Sequence, residues 1–112
     1  MNRRHLIVVI SAVVALAAAL TASAATPVLR GTVGPGFTIK LAKKPTRAGR
    51  YTFVIADKAS IHNFHLVGPG VSKKITGISF VGTKRATVSL KKGVYRFYCD
   101  LHPSLRGSFK IS

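Results

Sequence analysis

Gly93-Val94-Tyr95-Arg96-Phe97-Tyr98-Cys99-Asp100-Leu101-His102-Pro103-Ser104-Leu105-Arg106-Gly107 is the stretch whose reading decides the fold. Val94 to Cys99 is rich in Val, Tyr and Phe, the composition of a β-strand, and Gly93 and Pro103 punctuate its two sides. Cys99 and His102 stand three apart where that strand runs into a turn, so both side chains can face one point.

Outward from this stretch the same signals recur at short spacing. Val28 to Val33 and Phe37 to Leu41 flank Gly34-Pro35-Gly36. Arg50 to Ala56 alternates, with Tyr51, Phe53 and Ile55 on one face, and His62 to Val67 ends at Gly68-Pro69-Gly70. Ile75 to Val81, Arg85 to Leu90 and Ser108 to Ile111 bring the count to about eight strands, a spacing that implies an antiparallel all-β sandwich or barrel. No window carries a helical period.

Composition narrows the chemistry. The chain has 112 residues, Lys+Arg 18 against Asp+Glu 2, one Cys and one Met, the initiator. That length suits one domain, and one Cys makes neither an intramolecular disulfide nor a structural zinc site of several thiolates. At the N-terminus, Asn2-Arg3-Arg4 precedes the apolar run Leu6 to Leu20 and the small residues Thr21 to Ala25. This is the pattern of a signal peptide over residues 1–24, cleaved after Ala22-Ser23-Ala24, with an uncleaved membrane anchor as the alternative. Residues 25–112 are then an exported domain working outside the cytoplasmic membrane, periplasmic, cell-surface or secreted. It keeps sixteen basic residues against Asp57 and Asp100, a net +14.

The chemistry gathers in two places, the quoted stretch and Ile61-His62-Asn63-Phe64-His65-Leu66. A thiolate and two imidazoles are the donors of a mononuclear type 1 copper centre, whose fourth neighbour is a weak axial group. Cys99 and His102 supply two of them, and His62 arrives from a distant strand. Ligation also gives a lone exported thiol protection from oxidation. From Cys-x-x-His alone, a buried inert Cys with surface histidines is the better reading, because a single such pair is common.

The flanking residues go further. Gly93 to His102 resembles the plastocyanin family's Gly-x-Tyr-x-Phe-Tyr-Cys-x-x-His, and the short loop from His102 to Gly107 is similar to that of amicyanin, with its His-Pro-x-Met. His62-Asn63-Phe64-His65 resembles the His-Asn-x-His at amicyanin's first ligand. The resemblance to these cupredoxins spans Arg50 to Ser112 and implies a single Greek-key β-sandwich. It implies one copper ion held by His62 Nδ1, Cys99 Sγ and His102 Nδ1. Asn63 would tie the two loops together, and His65 would be a sheet histidine, not a ligand.

Two departures stand out. Leu105 occupies the axial position of amicyanin's Met, and no Met remains after export to replace it, so the resemblance implies a near-trigonal copper of raised reduction potential. Asp100 follows Cys99 directly, where relatives carry Ser or Thr; its carboxylate either accepts a bond from Asn63 or faces solvent.

A closed ligand set leaves no position for substrate, which suits outer-sphere electron transfer and not catalysis. Three histidines in the exported domain cannot build an oxygen-reducing cluster, so the chain reads as a monomeric electron carrier and not an enzyme. The resemblance makes His102 the electron port, inside a docking patch of Pro103, Leu105, Pro35 and Pro69. Lys43-Lys44, Lys73-Lys74, Lys84-Arg85 and Lys91-Lys92 lie near expected turns; they steer an anionic redox protein or an anionic membrane or wall surface, or guard sheet edges. Export argues against nucleic acid. A copper-handling protein of the same fold and a metal-free basic interaction domain are the alternatives.

Overall fold

The computed structural model describes residues 25–112; the signal segment 1–24 and its cleavage site lie outside them. Eight strands follow in order: β1 Val28–Val33, β2 Ile39–Leu41, β3 Gly49–Asp57, β4 Phe64–Gly68, β5 Val71–Thr76, β6 Gly82–Leu90, β7 Gly93–Tyr98 and β8 Arg106–Ile111. They form two four-stranded sheets, β2-β1-β3-β6 and β5-β4-β7-β8, and no helix occurs among the described residues. The chain is an all-β sandwich.

Alternation fixes which side of each strand faces the core. On β7, Tyr95 and Phe97 are buried while Val94 and Arg96 are exposed; on β8, Phe109 and Ile111 are buried while Ser108 and Lys110 are exposed. Phe53 and Ile55 enter from β3, Phe64 and Leu66 from β4, and Leu29 and Val33 from β1. Phe64 stacks on Phe97 at 5.2 Å and Tyr95 on Phe109 at the same centroid distance. Truncating one such ring to Ala costs about 3–5 kcal/mol. The Tyr95 hydroxyl, at the buried end of its ring, accepts from Lys91 N–H and donates to Lys91 C=O, both at 2.9 Å.

Four sequence expectations need correction. The β1·β3 pair is parallel, not antiparallel. After the β1–β2 hairpin the chain crosses back and lays β3 on the far side of β1, so β3 must run in β1's direction. Ile75 to Val81 is not one strand: β5 ends at Thr76, a turn closed by Phe80 N–H donating to Gly77 C=O follows, and β6 starts at Gly82. Lys73-Lys74 and Lys84-Arg85 lie not at turns but within β5 and β6, each an edge strand of its sheet. Lysines on an edge keep unpaired backbone from recruiting another chain. Finally, β2 starts at Ile39 and β4 at Phe64, which leaves Phe37, His62 and Asn63 in loops at one end of the sandwich.

Candidate metal centre

That end is where β7 runs out. Cys99 follows its last residue, and three backbone bonds shape the loop to β8: His102 N–H donates to Cys99 C=O (3.2 Å), Leu105 N–H to His102 C=O (2.8 Å) and Cys99 N–H to Leu105 C=O (3.1 Å). The compact loop turns Cys99 and His102 to the same side. His62 comes from the loop between the two sheets, where its own N–H donates to Ala59 C=O at 3.3 Å.

Their donor atoms form a triangle. His62 Nδ1 lies 3.0 Å from His102 Nδ1, and Cys99 Sγ lies 3.7 Å from the first and 3.8 Å from the second. A point equidistant from all three atoms is about 2.0 Å from each, against about 2.0–2.1 Å for nitrogen and 2.3 Å for thiolate bonds to a late first-row metal. Two imidazole Nδ1 atoms aimed at each other tolerate at most one proton between them, whereas a metal at that point uses both lone pairs. His62 Nε2 is buried with no partner among the described residues, so Nδ1 is the nitrogen through which His62 acts. Two imidazoles and one thiolate in a trigonal set are the donors copper favours, and the site fits one copper ion.

Burial grades across the three. Cys99 and His62 are fully buried and His102 is half-buried. Phe37, 68% exposed, packs edge-on against both imidazoles, with ring centroids 5.0 Å from that of His62 and 5.3 Å from that of His102, so it caps both from the solvent side. Leu101 and Ile61 are exposed beside these ligands, as is Pro103.

A polar layer braces the ligand loops. Asn63 Nδ2 donates to Asp100 Oδ2 at 2.7 Å, and Asp100 N–H donates back to Asn63 Oδ1 at 2.8 Å. His65 Nδ1 bonds Asp100 Oδ1 at 2.8 Å while His65 Nε2 bonds Ser72 Oγ at 2.9 Å, so both nitrogens of that ring are engaged away from the triangle. The register shift between Phe64 and His65 in the β4·β5 ladder accompanies this turn of the chain. Lys74 Nζ adds a looser contact to Asp100 Oδ2 at 3.8 Å. Burial alone would raise the Asp100 pKa; the hydrogen bonds from His65 and Asn63, with the charges of His65 and Lys74, outweigh it and hold the carboxyl below its ordinary value of 3.8.

Among solved structures, the chain is similar to a multi-copper oxidase from Pediococcus acidilactici, with a TM-score of 0.54 and 18% identity over 78% of this chain. The fold is cupredoxin-like. A purple cupredoxin from Nitrosopumilus maritimus (TM-score 0.46, 19% identity, 74% of this chain and 98% of that one) and an oxidized amicyanin mutant (0.36, 21%, 78% and 70%) are also similar to it. The chain spans only 26% of the oxidase. No protein-family model matches the chain, and no curated protein does either.

In this cupredoxin-like frame the structure brings together His62, Cys99 and His102, and pairs Asn63 with Asp100, resolving the choice left open for that carboxylate. It does not bring together the expected docking patch. The Gly68-Pro69-Gly70 turn caps the opposite end of β4 from His62, some 15 Å along the strand at ~3.4 Å per residue. Leu105 is buried, 9% exposed, and so offers little to a docking surface. Pro103 and Pro35 are exposed, and Pro35 lies in the loop that carries Phe37. Phe37 itself escaped the sequence reading, which took it as the first residue of a strand. Its signal was an aromatic directly after Gly34-Pro35-Gly36, where a strand has no reason to begin.

Proposed function

We propose that this is an exported blue copper protein that carries single electrons between redox partners by outer-sphere transfer through His102. The observation that carries the reading is the graded burial of the triangle. Cys99 and His62 are sealed, whereas His102 is half-buried beside the exposed Phe37, Leu101 and Pro103. Copper bound there supplies reversible exchange between Cu(I) and Cu(II).

The chain's own residues do the rest. Phe37 packed over the two imidazoles, with Cys99 and His62 fully buried, would limit access of water and substrate to a metal held there. The Asn63–Asp100 clasp holds the loops in one arrangement, so little must move between oxidation states. Exposed apolar side chains around His102 give a partner a surface to dry against. Leu105, which stands where amicyanin has its Met, would offer a copper held there no donor atom, which would favour Cu(I). Tyr98 and Asp100 flank Cys99, where an oxygen-reducing cluster would need histidine, so the reading is a carrier and not an oxidase. A net +14 field outside the membrane speeds encounter with an anionic partner, and that advantage shrinks as salt rises.

The chain reconstituted with Cu(II) should show an intense thiolate-to-copper visible band that Cys99→Ala abolishes. It should also exchange electrons rapidly and reversibly with an acidic cytochrome. Slow exchange together with ready copper release would replace this reading with copper handling.

A further inference from the structure

The outer face of the β5-β4-β7-β8 sheet carries a feature that the metal centre does not use. The β7·β8 register sets Tyr98 opposite Arg106 and Arg96 opposite Ser108. Arg96 and Arg106 are therefore diagonal neighbours on one face, with Cα atoms about 7–8 Å apart. Both are exposed, and with Tyr98 and Pro103 they line a groove of about 230 Å³. Beyond the same two arginines the groove continues over Gly107 and Ser108.

Like charges this close on a sheet repel unless something neutralises them. Among the described residues no side-chain carboxylate does so. Its two side-chain carboxylates are Asp57 and Asp100. Asp57 is buried at the end of β3 in the other sheet, where it accepts from Ala59 N–H. Asp100 is committed to Asn63, His65 and Lys74. Among the described residues neither Arg96 nor Arg106 forms an ion pair, and residues 1–24 contain no Asp or Glu. Guanidinium presents its N–H groups as a planar fork that matches carboxylate and phosphate oxygens two at a time. The groove is below the usual range of about 300–1,000 Å³ for drug-sized ligands, and so suits a small group.

We propose that the Arg96–Arg106 groove is an oxyanion-binding site, taking a carboxylate or phosphate group between the two guanidinium forks beside Tyr98. The site goes beyond electron carriage and needs no metal, so either reading can fail while the other stands. The oxyanion comes as a free ion or as an acidic side chain of another protein, and the same measurement separates these sources.

The test is a heteronuclear NMR titration of the metal-free full chain at constant ionic strength, with inorganic phosphate and separately with a hexaglutamate peptide. Shift changes should concentrate at Arg96, Tyr98, Pro103 and Arg106 to Ser108. The double variant Arg96→Gln/Arg106→Gln should weaken binding about tenfold or more, since it removes both charge-assisted forks. Arg30→Gln/Arg85→Gln removes the same charge from exposed positions flanking Val54 on the other sheet, and should leave binding within about twofold if the forks and not the overall field decide. Phosphate that displaces the peptide marks a site a free ion fills; a peptide that binds where phosphate does not marks acidic side chains as the source. Equal weakening by the two double variants, or shifts scattered over the whole surface with both probes, would overturn the proposal.

Discussion

Asn63 and Asp100 hold each other by two hydrogen bonds of opposite direction, Asn63 Nδ2 to Asp100 Oδ2 at 2.7 Å and Asp100 N–H to Asn63 Oδ1 at 2.8 Å. The pair joins the loop bearing His62 to the loop bearing Cys99 and His102, and Asn63 is only 1% exposed. Asn63→Ala strands a backbone N–H and a carboxylate oxygen in a partly buried place, a cost of about 1–3 kcal/mol. It also frees the two loops from each other, so copper affinity should drop about 10–100-fold, the usual price of losing a group that orients ligands. Denaturant unfolding of the metal-free protein checks the first figure and competition against a copper chelator checks the second. Unchanged affinity would mean that the loops hold their geometry without the clasp.

Acid should loosen the same layer. The Asp100 carboxyl sits below its ordinary value because His65, Asn63 and Lys74 favour its charged form over the opposing pull of burial. A depressed folded pKa binds fewer protons than the unfolded chain does. Its contribution to stability is therefore complete above the unfolded value of 3.8 and lost as pH falls through the lower folded value. Melts of the metal-free protein should show a decline below about pH 4 from this group, and Asp100→Asn should be less stable at neutral pH and flatter through the acid window. An identical acid slope in the variant would assign the decline elsewhere.

Gly107 sits on β8 opposite Phe97, and a Cβ placed there would overlap the Phe97 ring. Phe97 is stacked on Phe64 and cannot swing aside without disturbing the core. Gly107→Ala should cost about 1–3 kcal/mol as an overpacked site. Gly77→Ala, in open space in the β5–β6 turn, should shift the melting temperature little. Comparable losses in the two would argue that backbone freedom and not the ring decides.

The strands β1, β3, β7 and β8 were legible because their signal is local: alternating Val, Ile, Phe and Tyr between Gly and Pro. β5 was not, because Val71-Ser72-Lys73-Lys74 has the polar look of a turn, and an edge strand buries too little to show a hydrophobic pattern. The parallel β1·β3 pair was hidden for another reason. Which side of β1 receives β3 is decided by packing between sheets, not by any residue within either strand. At the site, Cys99, His102 and His62 were readable because a metal demands rare residue types in a fixed order. Phe37 and the misplaced Pro69 were not, since what brings a loop to the metal end is the direction in which strands run. His65 drew notice as a residue type, but its role on Asp100 needed the β4·β7 register that sets it opposite Tyr98, two residues before Asp100.

Leu105 offers the sharpest test of the copper reading. Leu105 is 9% exposed, with its N–H and C=O both tied into the ligand loop, and the described residues contain no methionine. Leu and Met have similar volumes, so Leu105→Met should alter metal-free stability by less than about 1.5 kcal/mol. In the copper-loaded protein the new thioether would donate to the metal and favour Cu(II) over Cu(I), so the reduction potential should fall. Voltammetry of wild type and variant, alongside melts of both metal-free forms, separates the electronic effect from damage to the fold. A variant that folds normally and has an equal or higher potential would show that residue 105 does not face the metal, and that the potential is set by the burial of Cys99 and the bonds around it.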